Sequence, residues 1–310
     1  MEAVKPYFER FMEALPDVES LADVSEDALL KLWEGLGYYN RARNLQKAAR
    51  QIMTEYGGAM PSEYEELCRL KGIGSYTAGA IASIAFGKRV PAVDGNVLRV
   101  VSRICRRDED ILLPAVKKKT EEELLLVLPD RPGDFNQALM ELGAMVCTPN
   151  GAPKCGECPW KELCVAHREG RETDFPCKPP KKARVIEDKT VLIIKDDKKA
   201  ALTKRPEKGL LAGMYEFPSI TGHLSQDEVL LFLKERGLSV LRIEPLSQSR
   251  HIFSHKEWHM IGYAVKVDEL AETTGNPEDS LVFVEQQEAR ERYPIPTAYK
   301  AYLKAFLEES

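Results

Sequence analysis

Two glycines one residue apart, Gly72 and Gly74, lie in the segment Leu70-Lys-Gly-Ile-Gly-Ser-Tyr-Thr-Ala78, between two stretches of helical character. Glycines at that spacing allow a tight turn and leave backbone N–H groups bare, so Gly72, Ile73 and Gly74 read as a hairpin between helices that can approach a phosphate. Such a grip holds DNA by its backbone and not by its bases. Eighteen residues after Ile73 stands Pro91, followed by Ala92-Val-Asp-Gly-Asn-Val97. There Asp94 arrives just before the next helical run, where it can face the sugar of a flipped-out nucleotide. Hairpin and carboxylate together point to an enzyme of DNA base excision.

A chain of 310 residues with 44% hydrophobic content can bury two separate cores. Its formal net charge of −5 argues against a protein that coats nucleic acid indiscriminately, while permitting a local basic face. Charges at Glu2, Lys5, Glu9, Arg10 and Glu13 leave no apolar core for a signal peptide, and no later apolar run is long enough to span a bilayer. The expectation is a cytoplasmic protein with no membrane partner. Seven cysteines in a reducing compartment are then better read as metal chemistry than as a disulfide scaffold.

Composition changes character near residues 171–187. Upstream the pattern is helical throughout: Ser25 precedes Glu26 and Asp27 as a cap, and Gly57-Gly58 ends a run from about Tyr39 to Tyr56. Residues 174–184 mix prolines with basic groups, which suits an extended connection. Beyond it, β-type runs at 191–194, 200–203, 260–267 and 281–284 alternate with helical stretches near 225–236 and 297–308. The expected organisation is an all-α domain over 1–170, a linker over 171–187 and an α+β domain over 188–310.

Cys147, Cys155, Cys158 and Cys164 fall in one Pro/Gly-rich loop with the spacing C-x7-C-x2-C-x5-C. Free cysteines rarely bunch in such a loop unless their thiolates converge on a metal. Structural zinc sites usually pair two short C-x2–4-C knuckles and this loop has one, so spacing leaves zinc and an iron–sulfur cluster both open. Cys68, Cys105 and Cys177 stand outside the pattern.

The hairpin, the Val93-Asp-Gly-Asn-Val97 segment, Gly35-Leu-Gly-Tyr-Tyr-Asn-Arg-Ala-Arg-Asn44, Phe135-Asn-Gln-Ala-Leu-Met-Glu-Leu-Gly143 and the four-cysteine loop together resemble the helix-hairpin-helix DNA glycosylase superfamily, and within it the MutY-type adenine DNA glycosylases. The resemblance spans nearly the whole chain. It implies a [4Fe–4S] cluster on the four cysteines, and double-stranded DNA carrying adenine opposite 8-oxoguanine or guanine as the partner of a monomeric protein. Asp94 reads locally as the N-cap of a helix, a position that favours a carboxylate anion. By resemblance that anion stabilises, or captures covalently, the positive sugar formed as the glycosidic bond breaks, with Asn96 as its polar support. Relatives that also cut the strand carry a Schiff-base lysine where this chain has Tyr76, which implies a monofunctional glycosylase with Tyr76 lining the base pocket. Leu36 and Tyr38 match residues that push into the duplex. Arg41 and Arg43 are expected at phosphates.

The second domain resembles the Nudix-like recognition domain of the same family through Lys204-Arg-Pro-Glu-Lys-Gly-Leu-Leu-Ala-Gly-Met-Tyr-Glu-Phe-Pro218 and His251-Ile-Phe-Ser-His255. A working Nudix helix holds metal ions through several carboxylates; aligned on Gly237, this chain offers Leu230, Leu231, Lys234 and Glu235 there. Pyrophosphate hydrolysis is thus not expected. The resemblance leaves recognition, with Phe253, Ser254 and His255 reaching 8-oxoguanine. It also places a general-acid glutamate upstream of the helix matched by residues 1–8, so the chain is expected to lack that donor. The alternatives are a catalytically impaired lesion-binding form and an endonuclease III-type glycosylase/lyase, the latter disfavoured by Tyr76 and the second domain.

Overall fold

The computed structural model describes residues 4–180, 183–270 and 281–307. Helices α1 (Lys5–Ala14), α2 (Val18–Asp23), α3 (Glu26–Leu32), α4 (Asn40–Glu55), α5 (Tyr64–Arg69), α6 (Ser75–Phe86), α7 (Gly95–Cys105), α8 (Pro114–Val127), α9 (Pro132–Glu141) and α10 (Val165–Arg168) come first. Strands β1 (Val185–Lys195), β2 (Lys199–Lys204), β3 (Tyr215–Glu216) and β4 (Ser219–Thr221) follow, then α11 (Gln226–Glu235), β5 (Val240–Ile252), β6 (Lys256–Val267), β7 (Leu281–Glu285), α12 (Gln286–Arg292) and α13 (Lys300–Leu307). An all-α part thus precedes an α+β part.

The helix ends obey local chemistry. Ser25 Oγ accepts from Ala28 N at the start of α3, and Gly57 and Gly58 leave α4 with φ of +60° and +84°. Ser225 and Glu228 close a reciprocal capping box on α11. The β5 strand was not anticipated from sequence, because its burial runs with no clean alternation along an edge that, among the described residues, pairs with β6 alone.

Chain contacts divide the molecule into two compact units, Asn44–Lys181 and Met1–Arg43 with Lys182–Ser310. This differs from a first domain spanning 1–170: the opening helices belong to the unit that holds the sheet, α3 lying against α12. The boundary falls inside α4. The expected linker is also shorter than 171–187. Phe175 is 1% exposed in a cluster with Cys164 and Ala166, Ile111 N donates to Cys177 O, and β1 already begins at Val185.

In the 44–181 unit, α6, α7 and α9 form the frame. Gly79 lets α6 approach the Pro91 carbonyl, where an added Cβ would stand 2.2 Å from the oxygen, and Gly133 lets α9 approach Ser83 in the same manner. In the other unit the sheet order is β3-β2-β1-β6-β5, with β4 on β1 and β7 on β2. The central pair β1 and β6 is parallel, from Val185↔Lys256 to Lys195↔Lys266. Side chains on β1 alternate between two cores: Val191 and Ile193 join Trp258, Tyr299, Tyr302 and Phe306 on one face, while Leu192 and Ile194 join Val229 and Leu233 of α11 on the other. Burial on both faces explains the unbroken apolar run at 191–194.

Candidate functional site

Asp94 is the N-cap of α7. Its Oδ1 accepts from Asn96 N and Val97 N at 2.8 Å each, and its Oδ2 accepts from Asn96 Nδ2 at 2.8 Å. The capping reading and the functional reading therefore use the same geometry: three donors orient a half-buried carboxylate. The segment leading into it is pinned by Asn136 of α9, 1% exposed, which takes Ala92 N on Oδ1 and donates from Nδ2 to Val90 O and Ser83 Oγ.

Behind Asp94 the polar chain continues inward. Arg99, one turn along α7 and 4% exposed, donates to Asn96 Oδ1 at 2.9 Å, to Gly143 O at 2.6 Å and to Cys147 O at 2.8 Å. Arg103, a turn further and 3% exposed, donates to Thr148 O and Phe175 O, and its Nη1 lies 3.2 Å from Cys147 Sγ. Guanidinium groups are rarely buried, and these two have donors occupied mainly by backbone oxygens, with Asn96 Oδ1 and Cys147 Sγ taking the others. Sequence reading did not single out Asn136, Arg99 or Arg103. The signal was the arginine pair spaced by four on a helix otherwise apolar at Val97, Leu98, Val100 and Val101.

The four cysteines surround one cavity of about 20 Å³, together with Arg103, His167 and Glu172. Burial, and secondarily the nearby Glu172 carboxylate, pushes the Cys155 thiol up to about 11, and burial likewise raises Cys164. Among the described residues, the grouping of metal-binding side chains whose ligand atoms all lie within 4.8 Å of one another is Cys155, His167 and Glu172; no three of the four cysteine sulfurs meet that condition. A single tetrahedral zinc, with Zn–S of about 2.3 Å, would draw its sulfurs to roughly 3.8 Å. Cys68 and Cys105 are exposed and Cys177 is partly buried, and none of the seven cysteines is disulfide-bonded.

In the hairpin, Gly72 adopts φ +77° and an added Cβ would stand 2.4 Å from Asn44 Cβ, so this position requires glycine twice over. Gly74 caps α6 with open space around it. Ile73 departs from the bare N–H expected of it, since its N–H donates within the turn to Leu70 O at 3.1 Å. Lys71 is exposed, and its backbone N–H bonds Gln51. Tyr76, in the first turn of α6, donates its hydroxyl to Met140 Sδ at 3.1 Å.

The remaining sequence candidates lie in the other unit. Gly35 and Gly37 take φ of +101° and +72°, and Tyr38 itself takes +49° while 71% exposed. A non-glycine residue in that region is strained, and the loop over-determines it: Trp33 Nε1 donates to Gly37 O at 3.0 Å and Gly35 N to Tyr39 Oη at 3.2 Å. Leu36 is half-buried, and the exposed Arg41 guanidinium lies 5.3 Å over the Tyr38 ring. Arg43, expected at a phosphate, donates instead to Glu26 Oε1 and Ala212 O, with its side chain 11% exposed. Phe253, Ser254 and His255 form the turn between β5 and β6, closed by Phe253 N donating to Lys256 O at 2.8 Å. Ser254 and His255 are exposed, whereas Phe253 packs its ring between His251 and Trp258 at 4.6 and 4.8 Å.

Residues 1–129 match the HhH-GPD superfamily of base excision DNA repair proteins, and residues 190–305 match the NUDIX domain. A helix-hairpin-helix repair fold joined to a Nudix-type domain is the class these matches define. Within it, the chain is 33% identical to the adenine DNA glycosylase of Buchnera aphidicola subsp. Acyrthosiphon pisum, covering 86% of this chain and 75% of that protein. It is 36% identical to the adenine DNA glycosylase of Mus musculus over 87% of this chain, yet spans 62% of that relative's length, less than two thirds. The structure of a thermostable thymine-DNA glycosylase aligns with 54% of this chain and 76% of its own, at 29% identity and a TM-score of 0.48. The chain belongs to the adenine DNA glycosylase family. No helix among the described residues is long and apolar enough to cross a membrane.

Proposed function

We propose that this protein hydrolyses the N-glycosidic bond of adenine mispaired with 8-oxoguanine or guanine in double-stranded DNA, as a monomer in the cytoplasm, and leaves the strand uncut. The observation that carries the reading is the Asp94 carboxylate, oriented by Asn96 and two backbone N–H groups at the start of α7. As the bond to adenine breaks, positive charge grows on the sugar. A fixed anion beside the anomeric carbon lowers that charge's energy without having to reorganise during the reaction, or bonds to it in an intermediate that water then releases. Asn96 holds the carboxylate and is itself held by Arg99.

Tyr76 supports the monofunctional assignment, because a phenol cannot form the imine through which a lysine cuts the strand. The turn at Gly72, Ile73 and Gly74 suits the phosphate backbone, with Gly74 offering the open approach. Tyr38 suits a wedge into the duplex, with Leu36 two residues before it and the Arg41 guanidinium over its ring. Of the lesion-reading tripeptide, Ser254 and His255 are the groups free to meet a base, and Phe253 is their anchor.

Cys147, Cys155, Cys158 and Cys164 are assigned to a [4Fe–4S] cluster. Bound there, the cluster would cross-link the loop and fix its shape. Arg103, with its Nη1 against Cys147 Sγ, is placed to neutralise thiolate charge. Iron and sulfide analysis of anaerobically purified protein tests the assignment: about four of each per chain is expected, and stoichiometric zinc without iron rejects it. For the reaction, single-turnover excision from an adenine:8-oxoguanine duplex is measured beside equilibrium binding, for the wild type and Asp94→Asn. Unchanged cleavage by the variant would remove Asp94 from the mechanism.

A further inference from the structure

The segment from Lys204 to Phe217, which in the sequence only marks the Nudix resemblance, has its partners on the opening helices. Arg43, at the start of α4, donates from Nη2 to Ala212 O and from Nε to Glu26 Oε1 at 2.6 Å, with its side chain 11% exposed. Gly213 makes room for it: a Cβ there would lie 2.9 Å from Arg43 Nη2 and 3.0 Å from Glu26 Oε1, at a φ of +65°. A second grip holds residues 293–295. Lys31 Nζ donates to Tyr293 O at 3.1 Å, Ile295 N donates to Glu34 Oε1 at 2.8 Å, and Lys31 and Glu34 pair at 2.7 Å. Pro294 O in turn accepts from Tyr215 N at the start of β3.

Apolar packing follows the same line. Met214, fully buried, joins Leu29, Leu30 and Tyr39, while its neighbour Tyr215 joins Trp258 and, at its edge, Phe253. A cleft of about 920 Å³ lined by Asp27, Lys31, Glu34, Tyr215 and Tyr293 runs beside these contacts. The loop carrying Leu36, Tyr38 and Arg41 lies between Glu34 and Arg43, inside the two grips. Ser254 and His255 extend from the Phe253 anchor.

We propose that Lys31, Glu34 and Arg43 are positioning residues for lesion discrimination: they fix the loop bearing Tyr38 to the domain bearing Ser254 and His255. Wedge and reader then act as one body. A duplex held open by Tyr38 presents its opposing base to the hairpin at a set position, and loosening the seam blurs that position without removing either contact. The inference rests on the functional reading above, since it concerns the same recognition event.

The test uses the full chain and duplexes carrying 2′-fluoro-2′-deoxyadenosine, which resists cleavage, opposite 8-oxoguanine or opposite guanine. Equilibrium affinities give the preference for 8-oxoguanine. In Glu34→Ala with Arg43→Ala the preference falls about tenfold while affinity for the guanine duplex changes less than about twofold. The conservative pair, Glu34→Gln with Arg43→Lys, keeps most of the preference. Equal losses on both duplexes, or full preference with α3 shown by hydrogen exchange to have come loose, overturns the proposal. A wild type with no preference defeats the functional reading itself. If circular dichroism shows the alanine pair unfolded, Lys31→Met, which keeps the aliphatic stem and drops the grip on Tyr293, is read in its place against the same two outcomes.

Discussion

The two units hold their functional groups by opposite means. Around α7, a carboxylate at the helix start is backed by Asn96, Arg99 and Arg103, whose donors reach carbonyls at residues 143, 147, 148 and 175. In the sheet unit, Ser254 and His255 stand exposed at a hairpin tip, anchored by one aromatic ring and by the alternating burial of β6. On the function proposed above, Asp94 meets a transition state, where a charge tolerates little misplacement, and the buried hydrogen bonds behind it serve that need. On the same function, Ser254 and His255 meet the base opposite adenine from a fixed root.

The comparison breaks most readily at Arg99. In Arg99→Ala the carbonyls of Gly143 and Cys147 lose a buried donor each, and the expected loss is about 3 kcal/mol or more, seen as faster amide exchange along α7. Exchange equal to the wild type would mean the brace is dispensable. Next comes Asp94→Asn, for which single-turnover excision is expected to fall at least about 10²-fold. Its affinity for the adenine:8-oxoguanine duplex should stay within about tenfold, because the anion serves the transition state.

Smaller effects sharpen the other side. Phe253→Ala should cost about 2 kcal/mol by emptying the ring's place beside Trp258, measured by denaturant unfolding of the sheet unit. Ser254→Ala with His255→Ala should leave stability within about 0.5 kcal/mol while removing preference for 8-oxoguanine over guanine. A stability loss as large as that of Phe253→Ala would show the tip to be structural.

The smallest expected effect is a pH dependence. The Lys256 ammonium, bonded to Glu187 at the β1–β6 pair, holds that carboxyl below its ordinary value of 4.5. A depressed carboxyl pKa stabilises the fold above the unfolded value, and that contribution is lost as pH falls through the folded one. Both side chains are 33% exposed, so solvent screens the pair and Glu187→Gln should remove less than about 1 kcal/mol of the acid-side slope. A loss well above that would place the sheet unit's stability in ion pairs and undo the contrast.

Local chemistry made much of this legible in the chain. Ser25, Asp94 and Ser225 announce helix starts because capping needs only a short polar side chain followed by helical residues. The run Val191–Ile194 announces a strand buried on both faces, and four cysteines in a Pro/Gly-rich loop line one small cavity. Neither the capping role of Asp94 nor its place before the helix required the fold.

Tertiary structure decided what depends on partners far along the chain. The Arg99 and Arg103 side chains bond residues 44 to 72 positions away, and nothing local separates a buried arginine from a solvated one. Membership of residues 1–43 in the sheet unit, the consumption of Arg43 by Glu26 and Ala212, and the turning of Phe253 into the core while Ser254 and His255 face out have the same origin. Sequence determines which conformations a short segment prefers, because that depends on its own sterics and hydrogen-bonding groups. Which charges are buried, and which tips are left to meet a ligand, follows only when distant segments compete for the same donors and the same apolar surface.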